Sequence, residues 1–247
     1  MIETAEHDGT AVLTLRHGPV NALDLELLTA LPDAFAAVAE APAVVLTGSG
    51  RCFSAGVDLK RLADGGAPYV EEFLPALSRA LLAVFGHPKP VVAAVNGHAL
   101  AGGCVLAAAC DARLMPESEG TIGLTELAAG LPFPTVPLEI MRHAVGPGLD
   151  AMVLAAPRLT PHQAAANNLI HKLTEPESLM SAAFRTAEAL RAVPPEVYAL
   201  SKHQLHRPAT ERITADRPVD DPRVADLWSA EETAGVLRGY LAGLGKG

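Results

Sequence analysis

A chain of 247 residues, 49% hydrophobic but only 4% aromatic, has the length of one large domain. It buries most of the surface its unfolded form exposes and needs no disulfide or metal staple. With 19 Lys and Arg against 28 Asp and Glu, the formal charge is −9, and no basic block stands out, which excludes the footprint of nonspecific nucleic-acid binding.

In chain order, Val12, Leu13 and Leu15 of TAVLTL predict a strand that breaks at Gly18-Pro19. Asp24 is placed to cap a helix whose apolar face is Leu28, Leu31, Phe35 and Val38, although Pro32 sits inside it. AVVLTG (43–48) predicts a buried strand, and SGRCFSAGVDLKRL a loop followed by a helical turn. LADGGAPYV (62–70) reads as a Gly-rich mobile loop before a helix over roughly 69–85. PVVAAVNG predicts a second buried strand, followed by a helix from Gly102 to about Ala109 and a short strand at 112–115. Helices are expected near 134–145, 161–167 and 177–192, the second started by Thr160-Pro161 and stopped at Asn167-Asn168. The polar, proline-bearing segment 206–223 reads as a connection to a C-terminal amphipathic helix marked by Leu227, Ala230, Ala234, Leu237 and Leu241. Strands alternating with helices, then helices alone, imply an α/β core over 1–195 and a helical region over 196–247.

Cys52, Cys104 and Cys110 show no CxxC spacing, so neither a disulfide framework nor a zinc site is expected. MIETAEHDGT lacks the pattern of a signal peptide, and a reducing cytoplasm is the expected compartment. The one stretch long enough to span a membrane, 91–110, carries Asn96, Gly97 and His98 near its centre. A polar turn there is costly in hydrocarbon, so a strand, a turn and a buried helix are expected instead.

Two glycine sites follow two buried strands, Ala55-Gly56 and Gly102-Gly103. Small residues let a ligand approach main-chain N–H groups, and Gly102 would open a helix whose free donors favour negative charge. Two such donors on one oxygen form an oxyanion hole; equally, each glycine could simply serve a tight turn. Glu126, alone in the apolar TIGLTELAAGLPFP, is a candidate proton acceptor with a raised pKa, or else a solvated turn residue. His98 is a second candidate base, or a structural histidine. No GxGxxG, Walker or GxSxG pattern occurs.

The stretches GPVNAL (18–23), VVLTGSGRCFSAGVDLK (44–60), HPKPVVAAVNGHALAGGCVLAAACDARLM (87–115) and TIGLTELAAGLPFP (121–134) follow one another in this chain. Together with LTPHQAAANNLIHKL (159–173) and SAEETAGVLRGYL (229–241), they resemble the crotonase, or enoyl-CoA hydratase/isomerase, superfamily. The resemblance implies a crotonase-like spiral of ββα units with small sheets set perpendicular, and a C-terminal helical region that builds a homotrimer or a dimer of trimers. It implies an acyl-CoA thioester as substrate, with coenzyme A carried by the substrate and no separate cofactor or metal. Matched by position, the oxyanion donors are the N–H groups of Ala55 and Gly102. Ser54, Asp58 and Leu59 become backbone neighbours of CoA, and Lys60 a phosphate contact.

Family hydratases use two glutamates to position and activate water. One matches Glu126; the other falls where this chain has Val105. Family isomerases with a single catalytic Glu look closest, which implies a 3-enoyl-CoA to 2-enoyl-CoA isomerase of fatty-acid β-oxidation with Glu126 as proton shuttle. The alternatives are hydration or another crotonase-type reaction, and an acyl-CoA-binding protein without efficient catalysis.

Overall fold

The structure is a computed structural model that describes residues 1–244; the last three residues of the expected 196–247 region lie outside it. The chain opens with an antiparallel pair, β1 (Ile2–His7) and β2 (Thr10–Leu15). Of the two only β2 has the apolar pattern of a buried strand; β1 is polar and mostly exposed, which hid it from pattern reading. Asp24 caps α1 (Leu25–Ala37) by accepting from the Leu27 N–H at 2.9 Å, a bond worth about 1 kcal/mol. The helix runs through Pro32 because Leu27, Leu28, Leu31 and Phe35 bury its inner face on both sides of the proline.

Three successive turns of chain then repeat one pattern. The first is β3 (Val44–Gly48), β4 (Cys52–Ser54) and α2 (Leu59–Phe85). The second is β5 (Val91–Ala94), β6 (His98–Leu100) and α3 (Gly102–Ala108). The third is β7 (Ala112–Pro116), β8 (Ile122–Gly123) and α4 (Thr135–Val145). The first strand of each turn joins a six-stranded sheet, ordered β1-β2-β3-β5-β7-β9, closed by β9 (Lys172–Thr174). The second strand joins a parallel three-stranded sheet, β4-β6-β8. This is the ββα spiral the resemblance implies. The short strands β4, β6 and β8 have too few residues for periodicity to reveal them.

Between β8 and the C-terminus, α5 (Leu149–Ala155), α6 (Pro161–Ala166) and α7 (Leu179–Arg191) complete the core. The Thr160 side chain and Gln163 form a capping box on α6, as the start signal predicts. The last two helices are α8 (Pro195–Ser229) and α9 (Glu231–Leu244).

Three expectations fail here. Segment 62–70 is part of α2, interrupted only at Gly66 (φ 57°, ψ −153°), because Leu62, Ala63 and Val70 continue the buried face. Segment 206–223 is no connection but the middle of α8, despite Pro208, Pro218 and Pro222. Tertiary contacts override the missing N–H groups. Ala209 and Ile213 are buried, Arg212 reaches the buried Glu139 of α4, and Asp221 accepts from the N–H and hydroxyl of Thr135 at 2.9 and 2.7 Å. The C-terminal stripe also does not run through one helix: Ala230 is extended (ψ 138°) and separates α8 from α9. No described helix is long and apolar enough to cross a membrane.

Candidate active site

Parallel strands deliver their carboxyl ends to one side, and ligands bind there in open α/β sheets. Here β4 leads to Ala55 and Val57, β6 to Ala101 and Gly102, and β8 to Thr125 and Glu126. All of these residues line one cleft of about 780 Å³, its mouth included.

The turn out of β6 is tight. Ala101 is held at φ 48°, ψ −126°, a backbone conformation that costs a non-glycine residue of order 1–3 kcal/mol. It reverses the chain so that α3 starts at the cleft. Gly103 lets α3 lie directly on β4, since a Cβ there would stand 2.3 Å from the Ser54 carbonyl oxygen. Gly56 (φ 84°) has the same role across the gap, where a Cβ would meet the Leu100 carbonyl oxygen at 2.5 Å. The two glycine sites are therefore where two backbones touch, and the gap between them is lined by main chain.

Which N–H groups face that gap follows from the hydrogen bonds. The Ala55 N–H donates to the Val20 carbonyl at 3.0 Å, so the expected donor at Ala55 is already spent. Val57 forms a parallel bridge with Leu23, in which Leu23 donates to Gly56 and Asp58 donates to Leu23. In such a bridge the central residue turns its own N–H to the other side. Val57 lines the cleft, and its N–H has no acceptor among the described residues. Gly102 is the first residue of α3, so its N–H has no acceptor inside the helix. The Val57 nitrogen lies 3.7 Å from the point a Cβ on Gly102 would occupy. The free N–H groups beside the cleft are therefore those of Val57 and Gly102, whereas Ala55, its N–H spent on Val20, only lines the wall. Sequence spacing could not separate Ala55 from Val57, because the choice depends on the register of the Leu23 bridge.

Glu126 is buried at 7% exposure, and its Oε2 atom has no hydrogen-bond partner. Its main chain is fixed, the carbonyl accepting from Ala129 and Leu131 at 3.0 and 2.9 Å. Loss of hydration pushes its pKa up to about 8, only partly countered by the N–H groups of Glu126 and Thr125. It is the one acid among the residues lining the cleft, and Val105, fully buried, faces the same space. The remaining walls are largely apolar, from Leu77 and Leu81 of α2, Pro137 of α4 and Trp228 of α8, with Thr125 and the hydrogen-bonded Arg158 and Tyr240 as further polar lining.

The other candidates fall in different places. Leu59 lines the cleft. Ser54 is wholly buried, its hydroxyl donating to the Asn21 carbonyl at 2.7 Å and accepting from the Gly56 N–H. Asp58 caps α2 through the Arg61 N–H at 3.0 Å. Lys60 is exposed and paired with Asp64 at 2.8 Å. His98 is exposed on β6, bonded to Thr121, and lines no part of the cleft, so it is not the base. Trp228 and Tyr240 were not among the expected site residues, since only the fold of α8 and α9 over the core brings them there.

The model of the enoyl-CoA hydratase/isomerase family matches residues 5–241. A crotonyl-CoA hydratase of Syntrophomonas wolfei is 34% identical over 166 residues, 65% of this chain and 64% of that protein. The human mitochondrial enoyl-CoA delta isomerase 1 is 25% identical over 247 residues, 98% of this chain and 82% of that protein. The crystal structure of human mitochondrial delta3-delta2-enoyl-CoA isomerase superposes with a TM-score of 0.94, covering 100% of this chain and 99% of that one at 24% identity. That likeness establishes the crotonase fold.

Proposed function

Because the chain belongs to the enoyl-CoA hydratase/isomerase family, we propose that it moves the double bond of a 3-enoyl-CoA to the 2-enoyl position. The observation that carries this reading is the solitary acid. Glu126 is the one carboxylate on a largely apolar cleft, and Val105 on the same wall takes the position that the family resemblance gives to the second, water-activating acid. Relatives of this chain carry both hydratase and isomerase names, so the choice between them rests on that composition.

In this mechanism the thioester carbonyl oxygen accepts from the Val57 and Gly102 N–H groups. The Glu126 carboxylate takes a proton from C2, and the C–H electrons delocalise into a dienolate. Each donor to that developing oxyanion is worth about 10²–10³-fold in rate. The same carboxyl then returns its proton to C4, leaving the double bond between C2 and C3, so the process needs no water and no net proton. An ionisation near 8 makes Glu126 a strong enough base while keeping its protonated form accessible near neutrality.

Coenzyme A would leave the cleft past the loop after β4, with Leu59 against the pantetheine and Ser54 and Asp58 offering main chain only. Lys60 would have to exchange Asp64 for a phosphate, a small cost for an exposed pair. The resemblance also implies a homotrimer or a dimer of trimers, which sedimentation of the full chain would distinguish. The test of the reaction is turnover of purified protein on 3-enoyl-CoA and 2-enoyl-CoA substrates. Double-bond migration that Glu126→Gln abolishes supports the proposal. Robust 3-hydroxyacyl-CoA formation from 2-enoyl-CoA supports hydration instead, and CoA-ester binding without turnover supports a binding protein.

A further inference from the structure

The cleft has an open and a closed end. At the open end Leu59, Arg158 and Tyr240 are partly or fully exposed. At the other, Leu77, Leu81 and Trp228 are each no more than 3% exposed. The polar groups of the reaction, the Val57 and Gly102 donors and Glu126, leave this closed end apolar. An acyl chain whose thioester sits on those donors has only this space for its hydrocarbon tail.

Trp228 is the largest side chain on the cleft wall, and it is fixed rather than swinging. Its indole N–H donates to the Pro132 carbonyl at 2.9 Å, and its ring stacks on Phe73 with centroids 6.2 Å apart. It occupies the last turn of α8, one residue before that helix ends at Ser229. A long aliphatic chain could displace a Leu by a change of rotamer. Displacing this indole would cost its hydrogen bond to Pro132 and its stacked contact with Phe73.

We infer that Trp228 is the gauge of acyl-chain length: its indole forms the end wall of the tail pocket and sets the longest linear acyl group the enzyme accepts. The inference rests on the acyl-CoA reading of the cleft but not on the choice between isomerisation and hydration. One methylene in an apolar pocket is worth about tenfold or more in kcat/KM, so a rigid wall yields a sharp upper limit rather than a gradual decline.

Two measurements test it on the full-length protein. Trp228 is the sole tryptophan of the chain, so indole emission excited at its red edge reports on this one position. Titration with saturated acyl-CoAs from acetyl-CoA upward should leave the emission unchanged for chains too short to reach the wall. It should shift once the tail touches the ring, at the same length where affinity peaks. Trp228→Leu and Trp228→Phe should move that affinity peak to longer chains, with about a tenfold gain relative to wild type for a tail two carbons beyond the wild-type optimum. An emission change already complete with acetyl-CoA would overturn the inference, as would an unaltered length profile in a folded Trp228→Phe protein. If Trp228→Leu fails to fold, the wild-type emission series still decides. Because saturated thioesters undergo neither reaction, this binding profile stands or falls separately from the turnover assay.

Discussion

Val57 and Gly102, 45 residues apart in the chain, stand side by side where the chain leaves the paired strands β4 and β6. A Cβ on Gly102 would lie 3.6 Å from Val57 Cγ2 and 3.0 Å from Leu23 Cδ1. Gly102→Ala should therefore keep the fold but push the α3 terminus away from Val57. A displacement of about 1 Å at a reacting group costs about 10²-fold. The expected outcome is a fall in kcat of that order with unchanged circular dichroism; kcat within twofold of wild type would remove Gly102 from the oxyanion site.

The ionisation of Glu126 near 8 has two consequences of opposite benefit. As a base it must be charged, so kcat/KM should rise about tenfold per unit with increasing pH and level off above about 8. For stability the sign reverses. The folded pKa lies above the unfolded value of 4.5, so the contribution is present below that value and is lost as pH rises through about 8. Glu126→Gln should match wild type in urea midpoint at acid pH and exceed it at about pH 9. A flat kcat/KM profile from pH 6 to 9 would contradict the assignment of Glu126 as the base.

Val105 is fully buried in the hydrophobic core and on the cleft wall. Val105→Glu would put a second carboxyl on the wall that Glu126 shares, at a cost in thermal stability because a charge would be taken into a fully buried position. The ratio of hydration to isomerisation, read as 3-hydroxyacyl-CoA against 2-enoyl-CoA, should rise. An unchanged ratio in a folded variant would show that the missing acid does not divide the two reactions.

A histidine cluster lies away from the cleft, where α2, α4 and α8 meet. His206 stacks on Phe85 with His143 beside it, while His87, just after α2, is buried edge-on to Phe35 of α1 and leaves Nε2 without a partner. Burial, with help from Lys202 and Lys89, lowers His87 to about 4; burial, His143 and Lys202 lower His206 to about 3. Both folded values lie below the unfolded 6.5. The unfolded chain then takes up protons the folded one refuses, and stability should fall as pH drops from about 6.5 to 4. Urea midpoints at pH 7 and 4.5 check this, and His87→Phe should shrink the difference between them.

Much of this site was legible in the sequence because its chemistry lies in short segments. AVVLTG and PVVAAV read as buried strands, Gly102 as a helix start and Glu126 as a lone acid, each from local composition. What was hidden depends on contacts between distant segments. Ala55 and Val57 sit in the same loop, and only the Leu23 bridge reveals which N–H is free. The prolines of 206–223 argue locally for a linker, while Glu139 and Thr135, over sixty residues away, hold that segment as a helix. Trp228 reaches the cleft only because α8 packs on α2 and α4.

The central claim is that one buried carboxyl carries the proton from C2 to C4, and isotope transfer tests it most directly. A 3-enoyl-CoA deuterated at C2, converted in ordinary water in a single turnover, should give 2-enoyl-CoA with part of the label at C4. Glu126 is shielded from bulk water in a largely apolar cleft, so its proton returns faster than it exchanges. Product without deuterium at C4, together with 3-hydroxyacyl-CoA formed from 2-enoyl-CoA at a comparable rate, would contradict the single-acid shuttle.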